Sequence, residues 1–350
     1  MRFSGNHNLV GIDIGSHSIK VCQAEKKLKR FELKNFGLAN LPPSAIVHGA
    51  IKEPSLIAGT LQTLLNHLNL KDQKAVFAVS SHSVIVKRIT FPALSEKELI
   101  QTIPYEAKQY IPFDINEVNL DFQVLGPLPE DPDSLSVLLV AAKKEVMAEY
   151  IDVLQLSGLV AAIGDVAAFA LANAYEFNYG LEADPVALVD LGASQTTLVV
   201  INQDGPIYTR DFFLGGKHLT EQIQTLGNLS FEEAEKLKLH WDRTPDHLNQ
   251  LAPSFLGVIQ AWVQEIKRAL DFLITSQPES RPVKMVLSGG SSLIPGFPKY
   301  ISEAFQLPTE LFQPFHQVHC DPEVFNPDYL KAVGPQAAIA LGLALRESGD

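Results

Sequence analysis

A carboxylate within an apolar strand, followed at once by a turn of small polar residues, most constrains what this chain can fold into. It lies in the segment LVGIDIGSHSIKVCQAE near the start of the chain. Residues 10–14 and 18–24 are both typical of strands, and the short turn Gly15–His17 between them predicts a β-hairpin. Burying Asp13 among apolar neighbours is unfavourable unless the carboxylate is paired or holds a metal ion. The turn offers backbone N–H groups and hydroxyls with Lys20 behind it, so the segment predicts a site for Mg²⁺ and a phosphate group.

The same pattern returns in the second half of the chain. Residues 185–201, PVALVDLGASQTTLVVI, repeat the strand, the acid, the glycine and the hydroxyl-rich turn, so that Asp190 matches Asp13 and Gly192 matches Gly15. In both copies a further strand, a helix and another strand follow in that order. An internal duplication of this kind predicts two α/β halves of similar architecture. Two such halves facing each other across a cleft would direct both aspartates at one ligand.

Composition narrows the classes of function. The chain has 350 residues, of which 46% are hydrophobic, and a formal net charge of -12. That length predicts two domains, or one divided by a cleft, and the negative charge argues against non-specific binding of nucleic acid or acidic lipid. Two cysteines, Cys22 and Cys320, predict no disulfide framework and favour a reducing compartment. The N-terminal residues lack the apolar core of a signal peptide, and no apolar run reaches the ~18 residues of a membrane span.

Residues 83–160, between the two repeats, have a different character. A strand pattern is followed by a helical stretch that Ser95 and Glu98 are expected to cap reciprocally. Two further strands, separated by the turn-rich sequence PLPEDPDS, and a terminal helix come next. This order predicts a small inserted α+β subdomain rather than a continuation of either repeat.

Five motifs, taken in order, resemble those around the nucleotide site of the actin-like ATPase superfamily. They are DIGSHSIK, DLGASQTTLVV, FFLGGKHLTEQI, EIKRALDF and SGGSSLIPGF. Within that superfamily, the inserted segment VKRITFPALSEKELIQTIPYEAKQYIPFD and the overall length are similar to the PilM family of type IV pilus assembly proteins, which itself resembles the cell-division protein FtsA. The resemblance covers about residues 8–346.

This resemblance implies a fold and its division into domains. The fold is α/β and actin-like, with two duplicated ribonuclease-H-like domains around a nucleotide cleft and a small inserted α+β subdomain. The first actin-like domain would comprise residues 8–82 and 161–183, and the second residues 184–346. The inserted subdomain, residues 83–160, would be the part that binds a partner. ATP and Mg²⁺ are the implied cofactors.

The resemblance also assigns residues to parts of the nucleotide site. Asp13 and Asp190 would hold Mg²⁺, largely through water. The remaining assigned residues are Gly15, Ser16, His17, Ser18 and Lys20 in a first phosphate loop, Gly192, Ser194, Thr196 and Thr197 in a second, Gly215 and Gly216 on the ribose side, Glu265, Lys267 and Arg268 beside the base and sugar, and Gly289, Gly290 and Ser292 beside the adenosine.

Ordinary structural explanations compete with some of these assignments. Lys20 is equally compatible with a solvated strand residue, and Glu265, Lys267 and Arg268 with an exposed helix face that carries short-range ion pairs. His17 occupies a loop position where small residues are usual, which leaves both cleavage and simple retention of ATP open. The sequence identifies no base beside a serine nucleophile, so the catalytic residues stay unassigned.

The function that the resemblance implies is that of a cytoplasmic scaffold at the cytoplasmic face of the inner membrane, within the type IV pilus assembly platform. Such a scaffold binds ATP with at most weak ATPase activity. It grips the N-terminal cytoplasmic peptide of PilN in a groove between the inserted subdomain and the first half, where strand addition is an ordinary mode of binding. Its nucleotide state would bias platform assembly and contact with the pilus motor ATPases, and self-association is a further expected contact.

Two alternatives from the same superfamily remain open. A sugar or small-acid kinase would use the same phosphate loops, although the inserted segment shows no group of acids and amides for a polyol. Asp165 is the only catalytic acid suggested by position, and it is equally suited to capping the helix that follows. An FtsA-like, filament-forming division protein is the second alternative. The sequence ends in LGLALRESGD, without the basic, aromatic-anchored helix expected of a membrane-attached member.

Overall fold

The chain folds into two α/β halves, each built around one mixed β-sheet, with a smaller sheet inserted in the first half. The computed structural model describes residues 9–27, 30–47, 49–80, 83–128, 130–241 and 252–346, apart from the side chains of residue 96 and residues 252–254. The domain ends predicted at residues 8 and 82 therefore lie outside the described residues.

The first half and its insertion follow the predicted order of elements. The first half opens with β1 (Leu9–Ile14), β2 (Ser18–Lys27), β3 (Arg30–Asn40), β4 (Ile46–Val47), β5 (Ala50–Ile51), α1 (Pro54–His67) and β6 (Lys74–Val79). The insertion contains β7 (Val84–Pro92), α2 (Glu96–Glu106), β8 (Val118–Leu128), β9 (Asp131–Lys143) and α3 (Lys144–Leu156). The first half then resumes with β10 (Val160–Val166) and α4 (Ala167–Tyr179).

The second half repeats the strand, hairpin and helix order of the first. Its elements are β11 (Val186–Leu191), β12 (Thr196–Asn202), β13 (Gly205–Phe212), α5 (Gly216–Gly227), α6 (Phe231–Leu239), α7 (Ala252–Ser276), β14 (Lys284–Ser288), α8 (Phe297–Phe305) and β15 (Thr309–Leu311). The chain then continues through β16 (Val318–His319), α9 (Pro327–Val333) and α10 (Ala338–Ala344).

Five strands of the first sheet have the same order as the five strands of the second. From the matching edge, the orders are β10-β6-β1-β2-β3-β16 and β15-β14-β11-β12-β13, and β16 has no counterpart. In each sheet the strand that carries the acid is parallel to one neighbour and antiparallel to the other. Asp13 pairs with Lys20 across the first hairpin and Asp190 pairs with Thr197 across the second. The two acids therefore occupy matching strand ends, and the predicted duplication is confirmed.

Strand β10 is one of several elements that the sequence did not predict. Its sequence, VAAIGDV, is rich in small residues and lacks an alternation of large apolar and polar side chains. Pairing with β6, in parallel and with an irregularity between Ala161 and Ile163, supplies the strand conformation instead. Because β10 ends the order of the first sheet, Val160 remains 59% exposed.

The insertion has a core of its own. Helix α2 covers one face of the three-stranded sheet β7-β9-β8, where Leu99 and Ile103 share a cluster with Leu139. The predicted cap is present, since the Ser95 backbone N–H donates to Glu98 Oε2 at 2.8 Å. Helix α3 behaves differently, because it buries Tyr150 in the core of the first half. The boundary at residue 160 stays a prediction, and the packing attaches α3 to the first sheet.

Helices α4 and α10 join the two halves into one packed unit. The faces of α4 are nearly all buried, and the helix contacts strands of both large sheets. Helix α10 lies against α4 and β1, although the sequence grouped it with the second half. Gly11 and Gly342 permit this approach, because a Cβ on Gly11 would strike the Ala340 carbonyl oxygen and one on Gly342 would strike that of Ala170.

Helix α7 is the longest of the described helices, with 25 residues. One side packs Ile259, Trp262 and Ile266 into the core of the second half, while Phe272 on another side is exposed. This two-sided character is that of a helix at a protein surface. Among the described residues, no helix combines the length and the apolar character needed to cross a membrane.

The contact at Gly342 generates a stability prediction with a matched control. Gly342→Ala should destabilise the protein by roughly 2–3 kcal/mol or more, since the added methyl group meets backbone rather than a flexible side chain. Gly59→Ala, on the exposed face of α1, meets no atom within 4 Å and should stabilise by about 0.5–1 kcal/mol. Urea unfolding of both variants measures the difference. Equal effects of the two substitutions would contradict the proposed packing.

Candidate functional site

A cavity of about 270 Å³ lies between the two halves, at the ends of the strands that carry the acids. Both turns predicted from the sequence contribute to its wall, together with helix α6. The sequence-predicted residues that line the cavity are Asp13, Gly15, Ser16, His17, Ser18, Lys20, Asp190, Gly192, Ser194, Thr197, Gly289 and Gly290.

The first turn is held in shape by its own backbone. The Gly15 N–H donates to the Ser18 carbonyl oxygen at 3.1 Å, and the Leu41 N–H donates to the His17 carbonyl oxygen at 2.7 Å. Lys20 Nζ lies 3.2 Å from Asp13 Oδ2 and 3.4 Å from the Ser18 carbonyl oxygen. Lys20 is therefore neither solvated nor free, because it folds back over the turn and neutralises Asp13.

The second turn is built around glycine. The Gly192 N–H donates to the Gln195 carbonyl oxygen at 2.9 Å, and a Cβ on Gly192 would lie only 2.6 Å from that oxygen. Thr197 lines the cavity, whereas Thr196 is buried behind it. The Thr196 hydroxyl donates to the Leu214 carbonyl oxygen and accepts from Trp262 Nε1, both at 2.7 Å. Thr196 thus anchors the turn from behind rather than facing the cavity.

The two aspartates share the floor of the cavity. Ser288 Oγ donates to Asp190 Oδ1 at 2.8 Å, which favours the ionised carboxylate. Burial and the negative charge of Asp13 act the other way, and burial dominates, so the pKa of Asp190 rises to about 6. Two nearby carboxylates, one of which resists ionisation, provide the hard oxygen ligands that Mg²⁺ requires. The donor set therefore fits this ion.

The two glycines after β14 have different roles. Gly289 has a φ of +80°, and a Cβ there would strike the Leu191 backbone, so glycine is required for the turn itself. Gly290 has space, since the nearest atom to a Cβ would be Gln336 Oε1 at 3.5 Å. Its missing side chain leaves room in the cavity. Ser292 is buried outside the cavity lining, and its hydroxyl donates to the Gly289 carbonyl oxygen at 2.6 Å.

Gly215 and Gly216 stand behind the cavity wall rather than in it. A Cβ on Gly215 would lie 2.6 Å from the Ala193 carbonyl carbon, and one on Gly216 would strike Ser291 Oγ. The Gly216 N–H donates to the Gly192 carbonyl oxygen at 3.0 Å. These glycines let the N-terminus of α5 pack directly against the second turn.

The group predicted beside the base and sugar is not brought to the cavity. Arg268 pairs with Glu265 on the same helix, and its side chain is 71% exposed. Lys267 is exposed as well. Among the residues described, none of the three lines the cavity, and their arrangement is the ordinary one of a charged helix face. Their assignment to the ligand stays a prediction, and this geometry does not favour it.

Helix α6 supplies the charged residues that the sequence reasoning missed. Glu235 and Lys238 line the cavity, and Lys238 is buried. Its Nζ donates to Glu235 Oε2 at 2.7 Å, to Thr220 Oγ1 at 3.1 Å and to the Gly216 carbonyl oxygen at 3.3 Å. Burial lowers the pKa of Lys238, and Glu235 opposes that shift. The sequence spacing could have predicted this position for Lys238. It lies four residues after buried Ala234 and therefore shares the inward face of the helix.

A polar network that was also missed connects the halves beside the cavity. Ser80, at the end of β6, donates to Gln195 Oε1 at 2.6 Å and to Asp211 Oδ2 at 3.2 Å. Gln195 Nε2 donates to the same Asp211 oxygen at 2.6 Å. The three residues come from distant parts of the chain, so no local pattern predicts them. They fasten the second turn to the first half.

Solved structures with low sequence identity share this fold. The chain matches the ethanolamine utilization protein EutJ from Carboxydothermus hydrogenoformans over 98% of its length and 91% of that chain, at 15% identity and a TM-score of 0.56. It matches MreB5 of Spiroplasma citri, solved bound to ADP, over 96% and 95% at 12% identity and a TM-score of 0.52. The fold and the two facing turns thus define a protein with the actin-like ATPase fold.

Sequence comparison narrows that class. A family model described as "Type IV pilus assembly protein PilM" matches residues 11–348. A solved structure titled "PilM-PilN type IV pilus biogenesis complex" is 30% identical, with a TM-score of 0.86 and coverage of 97% of this chain and 98% of that one. The chain belongs to the PilM family of type IV pilus assembly proteins. The predicted resemblance is therefore confirmed.

The family is related to division proteins, as the sequence also indicated. The cell division protein FtsA of Bacillus subtilis is 22% identical, with 95% of this chain and 83% of the relative covered. FtsA of Enterococcus faecalis is 23% identical, with coverage of 88% and 79%. Compared with membership of the PilM family, the FtsA-like alternative is less specific. The family model describes PilM, and the 30% identical solved structure contains PilM.

The raised pKa of Asp190 generates a prediction about pH. Without Mg²⁺, ionising buried Asp190 destabilises the folded state, and this loss appears as the pH rises from the usual pKa of 3.8 through about 6. Asp190→Asn removes it. The variant's stability relative to wild type should therefore increase over that range by an amount on the order of 3 kcal/mol and then level off. Urea unfolding at a series of pH values in EDTA measures this difference. A difference that does not change with pH would contradict it.

Proposed function

We propose that this member of the pilus assembly family is an ATP-binding scaffold and that the cavity between its halves is its Mg²⁺-dependent nucleotide site. One observation carries the proposal: two equivalent turns, each preceded by an acid at the end of a strand, converge on a single cavity. Convergence of this kind positions a phosphate chain between two sets of backbone donors.

Each part of the cavity wall suits a part of the ligand. Asp13 and Asp190 would hold Mg²⁺, which supplies positive charge to bridge phosphate oxygens. The two turns offer backbone N–H groups and the hydroxyls of Ser16 and Thr197. Glu235, on the wall formed by α6, offers an acceptor of the kind that binds a ribose hydroxyl. The space beside Gly290 suits the base.

Asp165, which the kinase alternative needs as a catalytic acid, is committed elsewhere. It is absent from the described cavity lining. Its Oδ1 accepts from the Val166 N–H at 2.7 Å, and its Oδ2 lies 3.7 Å from Arg346 Nε. This carboxylate is therefore held at the start of α4, and no observation favours a kinase over a scaffold.

The solved relative titled as a PilM–PilN complex supports PilN as the partner. The predicted groove for its N-terminal peptide would run along β10, which ends the order of the first sheet and leaves Val160 59% exposed. In the insertion, Leu138 and Val140 of β9 lie on the sheet face opposite α2 and are half-buried. A peptide added as a strand along β10 would gain backbone hydrogen bonds and apolar cover.

A location at the cytoplasmic face of the inner membrane would follow from this partner. The motor ATPases and self-association stay predictions, as does the coupling of nucleotide state to platform assembly. Such coupling requires that ATP bind one arrangement of the two halves more tightly than another.

The nucleotide site is tested by thermal unfolding with and without Mg·ATP. Ligand at ~100 times its Kd should stabilise the wild type by about 2.7 kcal/mol. Asp13→Ala, which removes a Mg²⁺ ligand, and Gly290→Arg, which fills the cavity, should both abolish the shift. Lys299→Ala, on α8 with its side chain 81% exposed, is the control and should retain the shift. A shift that survives Gly290→Arg would place the nucleotide elsewhere. If the wild type shows no shift, acid extraction of the protein tests for nucleotide that was already bound.

The partner groove is tested by fluorescence anisotropy with a labelled peptide of the cognate PilN N-terminus. Val160→Asp should weaken binding roughly tenfold, since it replaces apolar cover with a charge at the edge strand. Leu256→Asp is the control, because Leu256 is also exposed, at 46%, but lies on α7 of the second half. Equal binding by the two variants would exclude β10 as the docking edge.

A further inference from the structure

We propose that the His17 side chain is a phosphate ligand of this site and that it takes up a proton as the phosphate chain binds. The inference rests on the proposed nucleotide function and adds to it a residue role and a linked proton. It begins from the position of His17 at the tip of the first turn, where the residue lines the cavity. The turn is anchored there by the hydrogen bond from the Leu41 N–H to the His17 carbonyl oxygen.

The fold itself makes no use of the His17 ring. Within the described part of the chain, no hydrogen bond or ion pair involves either of its nitrogens. His218 is different, since its Nδ1 lies 3.3 Å from the Gly215 backbone nitrogen at the start of α5. A half-enclosed imidazole with both nitrogens uncommitted, at the tip of a phosphate-binding turn, is placed to serve a ligand.

The charges that line the cavity create a need for such a group. Three carboxylates, on Asp13, Asp190 and Glu235, face two lysines. Both lysines are already paired, Lys20 with Asp13 at 3.2 Å and Lys238 with Glu235 at 2.7 Å. A phosphate chain adds further negative charge, of which Mg²⁺ offsets two units. Among the described lining residues, His17 is the one whose positive charge can be added when it is needed.

The surroundings of His17 keep it neutral until then. Burial lowers the pKa of His17, and Lys238 on α6 and Lys20 on β2 lower it further, while Glu235 on α6 opposes them. Asp13 and Asp190 line the same cavity. A phosphate oxygen brought against the ring favours the imidazolium and raises its pKa. Binding near neutral pH must then draw a proton from solution, and affinity must increase as the pH falls.

The experiment is isothermal titration calorimetry of Mg·ATP binding to wild type and to His17→Asn, at about pH 6.5 and about pH 8. Each titration is done in two buffers of different ionisation enthalpy, because the difference in heat between the buffers gives the number of protons taken up. Wild type should take up more protons than the variant at the lower pH. Its affinity advantage over the variant should also be greater there, about tenfold for each unit by which binding raises the pKa of His17. Asp190 and the terminal phosphate of ATP also titrate, but they do so in both proteins and cancel in the comparison.

Three outcomes would overturn the inference. Equal proton uptake by wild type and variant would show that His17 does not take up a proton. Equal affinity of wild type and variant for Mg·ATP, at each of the two pH values, would show that the His17 side chain makes no contact with the phosphate chain. Absence of binding by wild type, with no nucleotide released by acid extraction, would remove the proposed nucleotide function as well. His17→Gln serves as a second variant, and unfolding of the ligand-free proteins verifies that neither substitution alters the fold. A merely structural role would change that unfolding without changing proton uptake.

Discussion

Burial of two like charges at one place is the constraint on which this molecule depends. Asp13 and Asp190 end equivalent strands, and the packing of the halves turns both toward a single cavity. Lys20 neutralises the first, but burial leaves the second with a pKa of about 6. The ligand-free protein is therefore less stable than its packing alone would make it near neutral pH. Positive charge brought into the cavity recovers that stability, which couples the fold to its ligand.

The parts of the fold and site that depend on neighbouring residues in the sequence are the parts that could be predicted. The acid, the glycine and the flanking apolar runs fix a hairpin within about 15 residues, so both turns and the lining around Asp13 and Asp190 follow from sequence. Strand β10 did not, because its conformation comes from pairing with β6 rather than from its own residues. The network of Ser80, Gln195 and Asp211 is beyond local reasoning for the same reason.

For the helices, the residues that the family resemblance assigned to the site differ from the residues that line the cavity. A motif on α7 suggested Glu265, Lys267 and Arg268 for the base side, yet the inward face of that helix is occupied by Trp262 and Ile266. Glu235 and Lys238, which do line the cavity, lie on α6, where Lys238 takes an inward position usually held by an apolar side chain. A buried lysine at core spacing is thus a more informative signal than a cluster of exposed charges.

The network of Ser80, Gln195 and Asp211 also has a kinetic consequence. It bridges the two halves through protein side chains alone. Any molecule enclosed there must wait for these hydrogen bonds to break before the halves can separate. The time for which such a molecule stays bound then depends on the rate at which the halves open. A partner that binds either half more tightly or more weakly would change that opening rate, and with it the residence time.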